Sequence, residues 1–232
     1  MIKLFGLLQR RRDLTLGQFS RHWSTVHRGL ALRLVAPGIM KGYVQNHREP
    51  VSVPDLDAPV DGSPELWIEG PQVLQRLATA PEYLEGAWPD ERNFMEGDSD
   101  AMLARTRVCH GIARDRTTPG AKVMFYFPAA VASDPQVTAA RWEAPTPWLL
   151  PDTSPLRLER EQALAGDAAG GTTPRYGAIE SSWWQDVETF LSLWQQRSMH
   201  EAAREGDNGV RAMFVRELIV VPPAAWQQAG QP

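Results

Sequence analysis

FSRHWSTVHRGLALRLVAPGIMKGYVQNH, residues 19–47, runs from a helix into a strand within a single stretch. Phe19, Trp23, Val26, Leu30 and Leu34 recur at helical spacing. Thr15, with Gln18 three residues on, supplies a capping box, and Pro37-Gly38 stops the helix. Ile39 to His47 then reads as a strand. Upstream, Ile2 to Gln9 is a mostly apolar strand that ends at the charged RRRD. Downstream, a loop rich in Pro and Asp (Glu49 to Pro59) precedes a strand, Gly62 to Glu69. Helices over Val73 to Ala80 and Tyr83 to Phe94 and a closing strand, Met102 to Arg114, complete the half. The order is strand, helix, strand, strand, helix, strand.

The second half repeats that order with its middle altered. RTTPGA (Arg116 to Ala121) is a turn-rich boundary, and Lys122 to Pro128 is a strand with alternating Val123, Phe125 and Phe127. Only Asp134 to Trp142 stands where the long first helix was, and PTPW breaks it. Leu156 to Leu164 and Arg175 to Trp184 form a hairpin across DAAGGTTP. Asp186 to Arg197, continued by Ser198 to Glu205, is helical, and Gly209 to Val221 is the last strand. YGAIESSWWQDVETFLSLW mirrors DGSPELWIEGPQVLQRLAT, an acidic strand running straight into an amphipathic helix. The chain therefore reads as an internal duplication, with units at 1–115 and 120–225.

A hydrophobic fraction of 43% over 232 residues supplies a sizeable core, and a net charge of −4 without long like-charge runs excludes nucleic-acid and anionic-membrane binding. The triplet Arg10 to Arg12 is a solvated turn. Cys109 is the single cysteine, so no disulfide framework or cysteine zinc site exists, and it reads as a buried strand residue. No apolar run is long enough to span a membrane, and MIKLFGLLQRRRD lacks signal-peptide order, which points to a cytoplasmic protein. Nine tryptophans suit either core packing or an aromatic-lined pocket.

His27 lies about 60° from the centre of the apolar stripe of its helix, bordering apolar neighbours, where a neutral imidazole can act as a base. His22 is on the other shoulder, five positions earlier. That is not the i, i+4 spacing that converges two imidazoles on a metal, and no other strong ligand spacing occurs, so no metal is expected. By period two, Tyr43, Gln45 and His47 share one strand face, Glu65, Trp67 and Glu69 share another, and His110 shares a face with Thr106 and Val108. If the first of these sets turns inward, a base, a carboxylate and a phenol converge on one aromatic-lined cavity. Glu180 is the second-half counterpart of Glu65, and Arg216 is a candidate partner for either. Dinucleotide and phosphate-binding loops and the nucleophile elbow are missing, so no cofactor is expected.

The Trp23-x-x-x-His27 pair and the stretch Tyr43-Val-Gln-Asn-His47 resemble the EthD family, a branch of the dimeric α+β barrel superfamily. The resemblance covers the first half well and the second only in its latter part. It implies an α+β fold in which two ferredoxin-like repeats, antiparallel sheets with helices on one face, form the barrel within one chain. It also implies cofactor-independent chemistry, since related barrels include monooxygenases of phenolic polyketides, lactone isomerases, cyclases and dehydratases. The expectation is a lyase or isomerase acting on a small aromatic or polyketide-like substrate. His27 would be the base or acid, Glu65 or His47 the second proton carrier and Tyr43 an oxyanion donor. Trp23, Trp67, His22 and His110 would bind substrate. A cofactor-free monooxygenase and a non-catalytic binder of small hydrophobes are the alternatives, and pairing of two chains into a homodimer is left open.

Overall fold

The structure, a computed structural model, describes residues 1–97, 100–111, 120–129, 155–164, 174–195, 209–224 and 226. The expected helix at 134–142, the loop at 167–173 and the helical continuation at 198–205 lie outside the described residues.

Eight strands, β1 (Ile2–Leu7), β2 (Gly42–Arg48), β3 (Gly62–Ile68), β4 (Asp100–Gly111), β5 (Ala121–Pro128), β6 (Arg157–Ala163), β7 (Tyr176–Trp184) and β8 (Arg211–Val221), close into one barrel. Their order round it is β1-β3-β2-β8-β5-β7-β6-β4, every pairing antiparallel. Within that circle the first half reads β4-β1-β3-β2 and the second β8-β5-β7-β6, the same arrangement twice. Two seams join the halves, β2 against β8 (His47 opposite Arg216) and β4 against β6 (Arg107 opposite Arg160). This is the intrachain α+β barrel of two ferredoxin-like sheets that the duplication implies. Closure also removes every free sheet edge.

Both faces of most strands are covered, which is why β1 reads as a nearly continuous apolar run. Outside the first half pack α1 (residues 16–34), α2 (Val73–Thr79) and α3 (residues 83–91). Outside the second packs α4 (Val187–Gln195), whose Phe190 and Trp194 meet Phe125 and Phe214. The capping box forms as the spacing predicts: the Thr15 hydroxyl accepts from Gln18 N–H at 3.2 Å and Gln18 Oε1 accepts from Thr15 N–H at 2.8 Å. Gly38, at φ 72°, ends the segment in the left-handed region that favours glycine.

The barrel interior is divided along its length. Phe5, Met102, Met124, Tyr126, Ile179 and Met213 fill one part with apolar side chains. At the other, where β1 and β5 both begin, Lys3 and Lys122 are buried among carboxylates. Lys3 Nζ lies 3.1 Å from Glu65, 2.8 Å from Glu159 and 2.9 Å from Glu161. Lys122 Nζ reaches Glu65 at 2.6 Å, Glu217 at 3.0 Å and Asn46 Oδ1 at 2.8 Å. Each ammonium also sits over an indole opposite it in register, Lys3 over Trp67 at 4.9 Å and Lys122 over Trp183 at 4.5 Å. The repetition is thus visible inside the barrel as two lysine–tryptophan pairs tied together by Glu65. Burial pushes Glu161 up to about 7 against the pull of Lys3, which lessens the excess of negative charge here.

Two expectations need correction. Cys109 is exposed, because β4 bulges between Val108 and His110, which puts His110 opposite Leu158 in register. Arg216 pairs with neither Glu65 nor Glu180; it lies 3.6 Å from Glu49, while Glu180 takes Arg160 Nε at 2.7 Å. The cause is facing: β8 places Arg216 opposite His47 of β2 on the outer surface, whereas Glu65 points into the barrel.

Candidate active site

Between the outer face of the first sheet and α1, α2 and α3 lies a cavity of about 310 Å³. Leu4, Leu66 and Leu103 from the strands and Leu74, Leu77 and Ala87 from the helices make it mainly apolar. Four lining side chains carry protons to give or take: His27, Tyr43, Tyr83 and Glu91.

Placement of His27 depends on a local irregularity of α1. Trp23–His27 is a π turn, in which Arg28 N–H reaches back five residues to the Trp23 carbonyl. The wider turn rotates His27 towards the face of His22, so residues five apart meet one carboxylate. His22 Nε2 lies 2.9 Å and 3.1 Å from the two Asp90 oxygens, and His27 Nδ1 lies 3.1 Å from Asp90 Oδ2. Asn93 Nδ2 donates to Asp90 Oδ1 at 3.0 Å. Phe94 packs between the imidazoles, its ring centroid 5.1 Å from His22 and 4.9 Å from His27. With Nδ1–H given to Asp90, His27 keeps Nε2 as a bare acceptor, and the ring borders the cavity. Burial lowers its proton affinity, and Asp90 opposes this without reversing it, so the ring is neutral at pH 7. Burial also disfavours ionised Asp90, but hydrogen bonds from Asn93, His22 and His27 outweigh it and hold the carboxyl below its usual range.

Tyr43 meets α1 from β2. Its oxygen accepts Trp23 Nε1–H at 3.1 Å and Gln45 Nε2–H at 2.7 Å. With both lone pairs occupied, the phenol can act only as a donor to whatever enters the cavity. Burial pushes it up to about 12, so it keeps that proton. Behind it each link donates towards it. Arg216 Nη2 gives to Ser20 Oγ (3.1 Å), Ser20 to His47 Nδ1 (2.9 Å), and His47 Nε2–H to Gln45 Oε1 (3.0 Å). Such a chain polarises its members in one direction. Gln45 also donates to the Trp23 carbonyl at 3.0 Å, tying the π turn to the sheet. Gly62 allows this approach, since a Cβ there would stand 2.5 Å from the Trp23 indole.

The expected convergence is therefore only half formed. His27, Tyr43 and Trp23 meet at the cavity. Glu65 and Trp67 face the barrel interior, because Glu65 pairs in register with Val44 while Tyr43 pairs with Leu66. His22 stands behind the wall on Asp90, and His47 is sealed under Trp23, ring centroids 4.3 Å apart. His110 is placed by its backbone on β4 alone. The sequence reading missed Asp90, Glu91 and Tyr83. The signal for Asp90 is the acidic pair in WPDERNF on a helix packed against a histidine-bearing one. Among the described residues no group of three or more histidine, cysteine or acidic side chains is arranged to hold a metal ion.

His47 carries a stability prediction. Burial, with a smaller contribution from Arg216, pushes it down to about 3, so the folded protein resists a proton that the unfolded chain accepts near 6.5. Above pH 6.5 the neutral ring costs nothing; as pH falls from 6.5 towards 3, stability is progressively lost. Between pH 7.5 and 4.5 the wild type should lose about 2–3 kcal/mol more than His47→Gln, read from urea unfolding midpoints. Equal losses would show that His47 is not held neutral.

The fold is an α+β barrel of two ferredoxin-like sheets. Residues 11–98 match the EthD domain family model, and that span contains α1, its π turn and the Asp90 segment. A solved structure described as an anthrone oxidase-like protein superposes with TM-score 0.53 at 13% identity, covering 94% of this chain and 93% of that one. A mutant chlorite dismutase from Candidatus Nitrospira defluvii superposes with TM-score 0.51 at 11% identity, covering 99% and 95%. At such identities the likeness is one of fold. No curated protein matches the chain in sequence. Among the described residues no helix is long and apolar enough to cross a membrane.

Proposed function

We propose that this cavity is a cofactor-independent acid–base site for a small aromatic or polyketide-like substrate, working as a lyase or isomerase. We read residues 1–115 as the unit that carries it and 120–225 as the unit that closes the barrel. The observation that carries the reading is that a bare imidazole nitrogen and a donor-only phenol border the same apolar cavity. Such a pair suits abstraction of a proton next to a carbonyl. His27 Nε2 takes the C–H proton, and the electron pair moves onto the carbonyl oxygen, which Tyr43 O–H meets as negative charge develops. Glu91, on the same wall, takes the place of Glu65 and His47 as second proton carrier: in a dehydration its carboxyl proton goes to the departing hydroxyl, which leaves as water, and the proton taken by His27 then returns to Glu91. The apolar lining favours a neutral substrate, because an anion would lose its hydration without a cationic partner among the lining residues.

The anthrone oxidase-like neighbour supports a second reading, in which the same enolate or phenolate reacts with oxygen. A panel of phenolic ketones, β-hydroxy ketones and lactones, assayed with and without oxygen, separates the two. The lyase or isomerase turns substrate over anaerobically. In that assay Tyr43→Phe should lower kcat by about 10²-fold with KM little changed, as expected for a donor used in the transition state. Tight binding across the panel without turnover would instead identify a sequestering protein.

A further inference from the structure

His22 neither lines the cavity nor touches anything that would enter it, yet it holds the same carboxylate as the base. We propose that His22 is a positioning residue that keeps His27 a free base by taking, at Asp90, the proton that solvent delivers. The inference rests on the reading of His27 as the base.

Three observations carry it. The His22 side chain is 25% exposed and that of His27 11%, so solvent reaches the outer ring first. Asp90 meets His22 through both oxygens, at 2.9 Å and 3.1 Å, but His27 through one, at 3.1 Å. A single carboxylate balances one imidazolium, and the second would form against the charge of the first. The cluster has few other charged neighbours among the described residues. From α3 come Asp90 and, towards the cavity, Glu91 with Tyr83; Asn93, just beyond, is neutral. From β2 comes Tyr43, which stays protonated, and from the N-terminal segment Arg11, which binds the Arg92 and Asn93 carbonyls. A proton arriving at mildly acidic pH therefore rests on His22, the Asp90 charge is neutralised locally, and Nε2 of His27 stays bare. The π turn is what makes this sharing geometrically available.

The test is a histidine titration by ¹H–¹⁵N NMR, which reads both rings in the intact protein without substrate. In His22→Gln the full Asp90 charge falls to His27 and the repulsion disappears, so the His27 midpoint should rise by about 1 unit. His22→Lys, which restores a cation there, should bring it back down. The acid limb of kcat/KM should move with it. An unmoved His27 midpoint in both variants, or His27 titrating first in the wild type, overturns the proposal. Because the titration needs no turnover, such a failure leaves the base assignment standing, and loss of that assignment leaves the coupling measurable.

Discussion

His27→Asn should lower kcat/KM by about 10²–10⁴-fold, the range a positioned general base contributes. Asparagine fits the space and can still bond Asp90, so the fold should hold while the only imidazole bordering the cavity among the described residues is gone. In the wild type, burial keeps the His27 proton affinity below its ordinary value. Activity should therefore be flat around pH 7–8 and fall only at a more acidic pH than an ordinary histidine base would give, because burial holds the His27 proton affinity down. No decline from Tyr43 is expected until pH approaches its value of about 12. Steady-state kinetics from pH 5 to 9, with circular dichroism to confirm folding, checks both parts. Full activity in the variant would remove His27 from the chemistry.

Glu65→Ala should be among the most destabilising single changes in the chain. Its carboxylate is 1% exposed and sits between Lys3 at 3.1 Å and Lys122 at 2.6 Å, with Asn46 Nδ2 donating at 3.0 Å. Lys3 retains Glu159 and Glu161 and Lys122 retains Glu217, so the charges are not orphaned, but two ammoniums lose the group lying between them. Breaking a buried pair by removing one partner costs about 3–5 kcal/mol, a large share of the 5–15 kcal/mol by which domains are stable. Replacing Glu65 and Lys122 together by methionine should recover most of that loss, since an apolar pair of similar volume carries no desolvation cost. Chemical denaturation of the two single variants and the double variant gives the coupling. Glu65 was a catalytic candidate by sequence; in the barrel interior its removal should act on stability and leave the pH profile of catalysis in shape.

The fold was legible because its signals are periodic and local. The capping box at Thr15, the stop at Pro37-Gly38 and the repeat of an acidic strand entering a helix each fix an element by pattern. What the alternation could not supply was which face of each strand turns inward. Tyr43 and Glu65 lie on adjacent strands, yet a one-residue difference in register sends them to opposite sides of the sheet. Lys3 and Lys122 were hidden for a related reason. A strand buried on both faces shows no polar side, and a lysine at its start reads as an edge charge. The π turn defeats the spacing rule applied to His22 and His27, since 3.6-residue periodicity places them apart and only the inserted residue brings them to Asp90. Tyr43 borders the cavity where strand alternation holds, whereas His27 borders it through the π turn, which leaves Val26 of the expected stripe exposed.

Removal of a carbon-bound proton through His27 would carry deuterium from solvent into the α-position of a bound phenolic ketone, which NMR follows directly. Exchange should be catalysed by the wild type and fall by at least about 10²-fold in His27→Asn, with ketone binding retained. Equal exchange in both proteins, or binding without exchange in either, would contradict it.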